Sequence, residues 1–152
     1  MKENVERCGA TAIMVTDRWG DPVDPEKLEA AIKAHPDAKV VAFVHAETST
    51  GVRSDAETLC RLAKSAGMLV IMDAVTSLAG IDLKTDAWGA DVVYSGTQKC
   101  LSGLPGISPI TFSEDAVTTI QQRTQKVQSW FLDMNLIMGY WGEGAKRAYH
   151  HT

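Results

Sequence analysis

This 152-residue chain is poor in cysteine and in long apolar runs, and it has no excess of basic charge. Its three cysteines, Cys8, Cys60 and Cys100, are odd in number and widely spaced. They form no Cys-x-x-Cys pair and no Cys/His cluster, so the pattern excludes a zinc ribbon or a disulfide framework and suits free thiols in a reducing compartment. The adjacent pair His150-His151 has no companion ligands nearby in the sequence, and no metal site is expected. No apolar run approaches the roughly 18 residues that a bilayer-crossing helix needs. Lys plus Arg number 15 against 19 Asp plus Glu, a net charge of -4, so nothing points to nucleic acid or to a membrane. Residues Met1 to Arg7 have no apolar segment behind their charge, unlike a secretory signal. A cytoplasmic location is expected, with an organelle signal in a missing terminus left open.

What is present is an alternation. Hydrophobic residues make up 45% of the chain and charged residues 22%, ordinary values for a globular protein. Short β-branched runs alternate with amphipathic stretches. Thr11 to Thr16 reads as a strand. Asp24, Pro25 and Glu26 predict a helix start, with Asp as N-cap and Pro in the first turn. Leu28, Ala31 and Ile32 carry its 3.6-residue period, and the helix ends near His35-Pro36. Val40 to Val44 is a continuous apolar run suited to a parallel strand covered on both faces. Asp55 to Ala66 predicts a second helix, closed by Gly67 in a left-handed conformation. Leu69 to Met72 is a third strand and delivers Asp73 at its end. Residues 82–91 form a connection with a helical turn around Trp88. Val92 to Ser95 is a fourth strand and Ile107 to Phe112 a fifth. A polar helix is expected over Asp115 to Val127, then a helical and irregular tail from Trp130 to Thr152.

Strand–helix–strand units imply an α/β fold with a mostly parallel sheet and helices on both faces. Ligands of such sheets sit beyond the carboxyl ends of the strands. Three polar segments fall there: Glu47-Thr48-Ser49-Thr50, Asp73 and Gln98-Lys99. Asp73 follows a fully apolar strand, where a charge needs a partner. A loop-anchoring hydrogen bond is the alternative for it. Lys99 lies in the small-residue loop Ser95 to Gly106, which lets backbone approach a ligand closely. A solvated surface lysine is the default there. The loop lacks the GxxxxGK[ST] pattern, so it is no P-loop. A partly buried lysine can attack a carbonyl. Paired with an aspartate, it suits pyridoxal phosphate, which needs an imine-forming lysine and an acid for its pyridine nitrogen.

Four segments carry a resemblance: His45 to Val52, Asp73 to Leu78, Ser95 to Cys100, and Tyr149-His150-His151-Thr152. In order and spacing the chain resembles the class V, fold type I pyridoxal-phosphate aminotransferases, in particular the alanine–glyoxylate and serine–pyruvate group. The resemblance implies that Lys99 forms the Schiff base with the cofactor and that Asp73 partners the pyridine nitrogen. It implies that Val75 packs on the ring, that Thr48 bonds near the 3-oxygen or phosphate, and that Gln98 reaches the phosphate. It implies a homodimer with a shared site, in which Tyr149 and Thr152 contact the phosphate in the other subunit. The implied reaction moves an amino group from a small amino acid, alanine or serine, to a 2-oxo acid such as glyoxylate or pyruvate. Another class V reaction, with 2-aminoethylphosphonate or phosphoserine, and a non-catalytic remnant of the fold stay open. The related cysteine desulfurases place a histidine before the lysine; this chain has Gln98. Cys100 reads as a small core residue rather than a nucleophile.

The chain is short for this family. It corresponds to the central part of the large cofactor-binding domain. The N-terminal phosphate-loop region and the C-terminal small domain are expected to be absent, and with them the substrate-binding arginine. Arg53, Arg61, Arg123 and Arg147 do not stand at its position. Weak cofactor binding, poor turnover by the isolated chain and exposed apolar surface are the consequences expected.

Overall fold

The computed structural model describes residues 1–141. Two units are distinct, Ile13–Ala116 and a second formed by Met1–Ala12 with the chain from Val117 onward. The first unit carries the sheet. Its elements are α2 (Pro25–Ala34), β1 (Val40–Val44), α3 (Ala56–Ser65), β2 (Leu69–Asp73), α4 (Thr85–Trp88), β3 (Val92–Tyr94) and β4 (Ile110–Phe112). The second holds α1 (Lys2–Arg7), the 3-10 turn Trp130–Leu132 and α6 (Met134–Trp141), while α5 (Glu114–Gln121) runs across the boundary.

The sheet order is β1-β2-β3-β4. β1, β2 and β3 run parallel, and β4 closes the edge antiparallel to β3. This is the α/β architecture with a mostly parallel sheet that the sequence predicts. The helix starts also follow the expected chemistry. The Asp24 carboxylate accepts from the Glu26 N–H at 2.9 Å with Pro25 in the first turn, and the Asp55 carboxylate accepts from the Thr58 N–H at 3.2 Å. Gly67, at φ +73°, ends α3 in the left-handed region that glycine enters without strain.

Period-two alternation decides which face of the sheet is buried. Phe43, Val70, Met72 and Val93 join Leu28 of α2 and Leu59, Cys60 and Ala63 of α3 in one core. Each fully buried side chain of this size contributes about 1.5–3 kcal/mol. The alternate positions, Val40, Ala42, Ile71, Val92 and Ile110, stay half-buried or exposed. The apolar surface left open continues in the loops, where Trp19 is 80% and Leu104 86% exposed.

One ion pair anchors the edge opposite the strand carboxyl ends. Asp91, buried just before β3, accepts from Lys64 Nζ at 2.9 and 3.0 Å, from the Val70 N–H at 2.8 Å and from the Ser113 hydroxyl at 2.7 Å. Burial pulls the Lys64 ammonium pKa down, but the bonds and charge of Asp91 outweigh it and the net shift is upward.

Three expectations are corrected. Thr11 to Thr16 is no strand; Ile13 and Met14 are exposed, and the run pairs with no sheet edge. Its β-branched composition favours extension, but only ladder partners make a strand. The last strand is shorter than Ile107 to Phe112. It starts at Ile110, after Gly106 at φ +117° and Pro109, which has no N–H to give to a ladder. The polar helix stops at Gln121 rather than Val127. Gln122 and Arg123 donate back to the helix carbonyls of Thr118 and Ile120, which ends it.

Candidate active site

Parallel strands put their carboxyl ends on one sheet edge, and the loops leaving β1, β2 and β3 converge there. Thr48 lies in the first loop, Val75 in the second, Gln98 and Lys99 in the third. Asp73 is the last residue of β2 and pairs in register with Val44 of β1 and Tyr94 of β3. Tyr149 and Thr152 lie outside the described residues.

The three loops are stitched to one another. The His45 N–H donates to the Asp73 carbonyl at 2.9 Å, and the Thr76 hydroxyl donates to the Ala46 carbonyl. On the other side the Ser95 hydroxyl donates to the Ala74 carbonyl at 3.0 Å, and the Cys100 thiol donates to the Thr76 carbonyl at 3.4 Å. Thr76 thus ties the Asp73 loop to both neighbours. A side chain at Gly80 would stand 2.6 Å from the Cys100 sulfur, so this junction has no room for even a methyl group. The core position expected for Cys100 is corrected: it is exposed, and its thiol bridges two loops by donating to the Thr76 carbonyl.

Asp73 is half-buried and has two donors. The Val75 N–H reaches Oδ1 at 2.9 Å, and the Tyr94 phenol donates to Oδ2 at 2.7 Å. The first bond is the loop anchor considered as the alternative role. It leaves lone pairs free on both oxygens, so anchoring and ligand binding are compatible. Burial, followed by the bond to Asp73 and its negative charge, raises the Tyr94 pKa far above the usual phenol range. Tyr94 keeps its proton and acts as a donor.

Lys99 sits in a loop built on backbone bonds. The Gly103 N–H donates to Thr97 O at 2.8 Å, and the Ser102 N–H donates to Lys99 O at 2.9 Å. Ser102 takes φ +56°, a left-handed turn that closes the loop. The Lys99 side chain is exposed. Gln98 folds over the preceding glycine; a Cβ at Gly96 would stand 2.7 Å from its Oε1. Thr48 is exposed in a tight loop closed by the Glu47 N–H to Val52 O and the Gly51 N–H to Glu47 O, both 2.8 Å. The Glu47 carboxylate turns onto Ser49, accepting its N–H at 2.9 Å and its hydroxyl at 2.7 Å. Those bonds, the backbone one first, lower the Glu47 pKa. It is an acid spent on loop shape.

His45 directly follows β1, 3% exposed, with Nδ1 unpartnered and its ring edge-on to Trp88 at 5.6 Å. Burial first, and the Arg53 charge second, lower its pKa below 6.5. The unfolded state therefore binds more protons than the folded state below that pH. Stability is complete above pH 6.5 and falls as acid is added, by up to about 1.4 kcal/mol per pH unit. Thermal melts of wild type and His45→Gln across this range should show that slope in the wild type and a flatter one in the variant.

The chain matches the family model described as Aminotransferase class-V over residues 2–129. It belongs to the class-V aminotransferases. Class-V aminotransferases are pyridoxal-phosphate-dependent enzymes. Among solved structures, an alanine–glyoxylate aminotransferase from Nostoc sp. is 42% identical with a TM-score of 0.92, covering 99% of this chain and 39% of that one. The ureidoglycine–glyoxylate aminotransferase of Bacillus subtilis is 34% identical with a TM-score of 0.90, again covering 99% of this chain and 39% of that one. The alanine–glyoxylate aminotransferase of Drosophila melanogaster is 36% identical over 148 residues, which is 96% of this chain and 37% of that protein. This class-V chain thus spans well under half the length of the relatives it matches.

The site residues fit the family's cofactor by their chemistry: an aspartate with free lone pairs at one strand end, a lysine in the loop after the next strand, and hydroxyl and amide groups beside them. Tyr94 is the member that sequence reasoning missed. No local sequence pattern marks it; the parallel register sets it opposite Asp73.

Proposed function

We propose that the chain is the central part of the cofactor-binding domain of a pyridoxal-phosphate-dependent aminotransferase. The substrates are a small amino acid, alanine or serine, and a 2-oxo acid such as glyoxylate or pyruvate. One observation carries this reading: Asp73 and Lys99 leave neighbouring parallel strands at the same sheet edge, in loops tied together through Thr76. Glyoxylate is favoured as acceptor because it appears in the names of relatives with two different donors.

When bound, the cofactor supplies an aldehyde that takes up the amino group and a ring that draws electrons from the substrate Cα. Lys99 Nζ would hold the cofactor covalently and would serve as the base that moves the proton at Cα. Asp73 would accept the N–H of the ring nitrogen. Val75 would pack on the ring face, Thr48 would bond near the 3-oxygen or the phosphate, and Gln98 would reach the phosphate. Tyr149 and Thr152 serve the phosphate held by a second copy, so the active assembly is a homodimer. No helix among the described residues is long and apolar enough to cross a membrane, and Cys8, Cys60 and Cys100 are free thiols. Free thiols support a cytoplasmic home.

A donor panel tests the assignment. The protein, supplied with cofactor and glyoxylate, should form glycine with alanine or serine as donor, at the low turnover expected of this part of the domain. Turnover only with 2-aminoethylphosphonate or phosphoserine would overturn the substrate class.

A further inference from the structure

We propose that Tyr94 is a positioning residue for Asp73, holding the carboxylate in the orientation that receives the ring nitrogen of the cofactor. This rests on the cofactor reading above. The Asp73 carboxylate could turn freely about its terminal bond, which is a soft torsion. Two donors stop it. The Val75 N–H fixes Oδ1 at 2.9 Å from the same strand end, and the Tyr94 phenol fixes Oδ2 at 2.7 Å from the next strand. The second contact comes from the ladder itself, since Asp73 and Tyr94 are register partners. Strand pairing continues past both residues, with the Ala74 N–H on Tyr94 O at 2.9 Å and the Ser95 N–H on Pro109 O at 2.9 Å. The phenol therefore has a rigid backbone beneath it. Its raised pKa, from burial first and Asp73 second, keeps the proton in place to donate. Two of roughly four lone-pair sites on the carboxylate are used, and the rest remain for an N–H donor. The phenol's bond ends on the acid of the site.

The test has a cofactor-free arm and a loaded arm. Without cofactor, tyrosine absorbance is followed against pH in wild type and Asp73→Asn. Tyr94 should resist ionisation in wild type and ionise at lower pH once the negative charge is removed. An unchanged titration overturns the coupling, even if Tyr94→Phe fails to fold. With cofactor, Tyr94→Phe should keep borohydride labelling at Lys99, raise the cofactor Kd about tenfold, and move the pH midpoint of the bound-cofactor absorbance. A bracing role alone would lower Tm and leave that midpoint in place, which overturns the proposal. If the wild type itself takes no label at Lys99, the cofactor reading fails and the role of Tyr94 falls with it. The cofactor-free arm then still reports whether phenol and carboxylate are coupled, so the two failures are told apart.

Discussion

Changing Lys99 to alanine is expected to lower transamination by about 10²–10⁴-fold from the lost proton transfer alone, with covalent attachment lost as well. The fold should hardly notice. The side chain is exposed, and the loop is held by backbone bonds such as the Gly103 N–H to Thr97 O at 2.8 Å. Surface changes of that kind stay within about 0.5 kcal/mol. Lys99→Arg separates charge from nucleophilicity, because a guanidinium stays protonated and cannot attack the aldehyde. It should be as inactive as the alanine variant. Single-turnover conversion of bound cofactor by alanine, read beside a urea melt, checks both halves. An arginine variant with wild-type turnover would remove Lys99 from the chemistry.

Asp91→Ala should have the opposite profile. It removes the acceptor for the Lys64 ammonium, the Val70 N–H and the Ser113 hydroxyl in one step. Breaking a buried pair from one side costs about 3–5 kcal/mol, a large part of the 5–15 kcal/mol that holds a typical domain together. Asp91 stands before β3, and Lys99 follows it, so the loss should appear in stability and not in the chemistry of the molecules that remain folded. Asp91→Asn keeps an acceptor and should lose less. Urea unfolding of the three proteins gives the ranking. A loss below about 1 kcal/mol for Asp91→Ala would mean that Asp115, already 3.4 Å from Lys64 Nζ, takes over the ammonium.

These two residues mark how far sequence reasoning reached. The placement of Lys99 and Asp73 at the carboxyl ends of strands was legible because each follows a short apolar run, and the end of such a run in an α/β chain is where ligands gather. The caps at Asp24 and Asp55 and the left-handed Gly67 were legible because each depends on neighbours within a few residues. Asp91 was not. Its partners come from α3, β2 and the residue after β4, and no local pattern brings them together. Tyr94 was hidden for the same reason, since its contact with Asp73 depends on a register between strands 21 residues apart. The misread strand at Thr11 to Thr16 is the converse case. Local preference there was strong, and the pairing it needed did not exist. Thr48 and Gln98 fell into loops of the expected edge, yet the hairpin-like closure from Glu47 to Val52 and the fold of Gln98 over Gly96 follow from backbone geometry that composition does not encode.

The central claim is that Lys99 is the residue that holds the cofactor. Lys99 lies a few residues past the end of β3, at the same sheet edge as the Asp73 carboxylate. The direct measurement is borohydride reduction of the full protein equilibrated with pyridoxal phosphate, followed by peptide mapping. The account predicts label concentrated on the peptide that contains Lys99 and lost in Lys99→Ala. Label spread over the exposed lysines, with Lys99 no more modified than the rest, would contradict it.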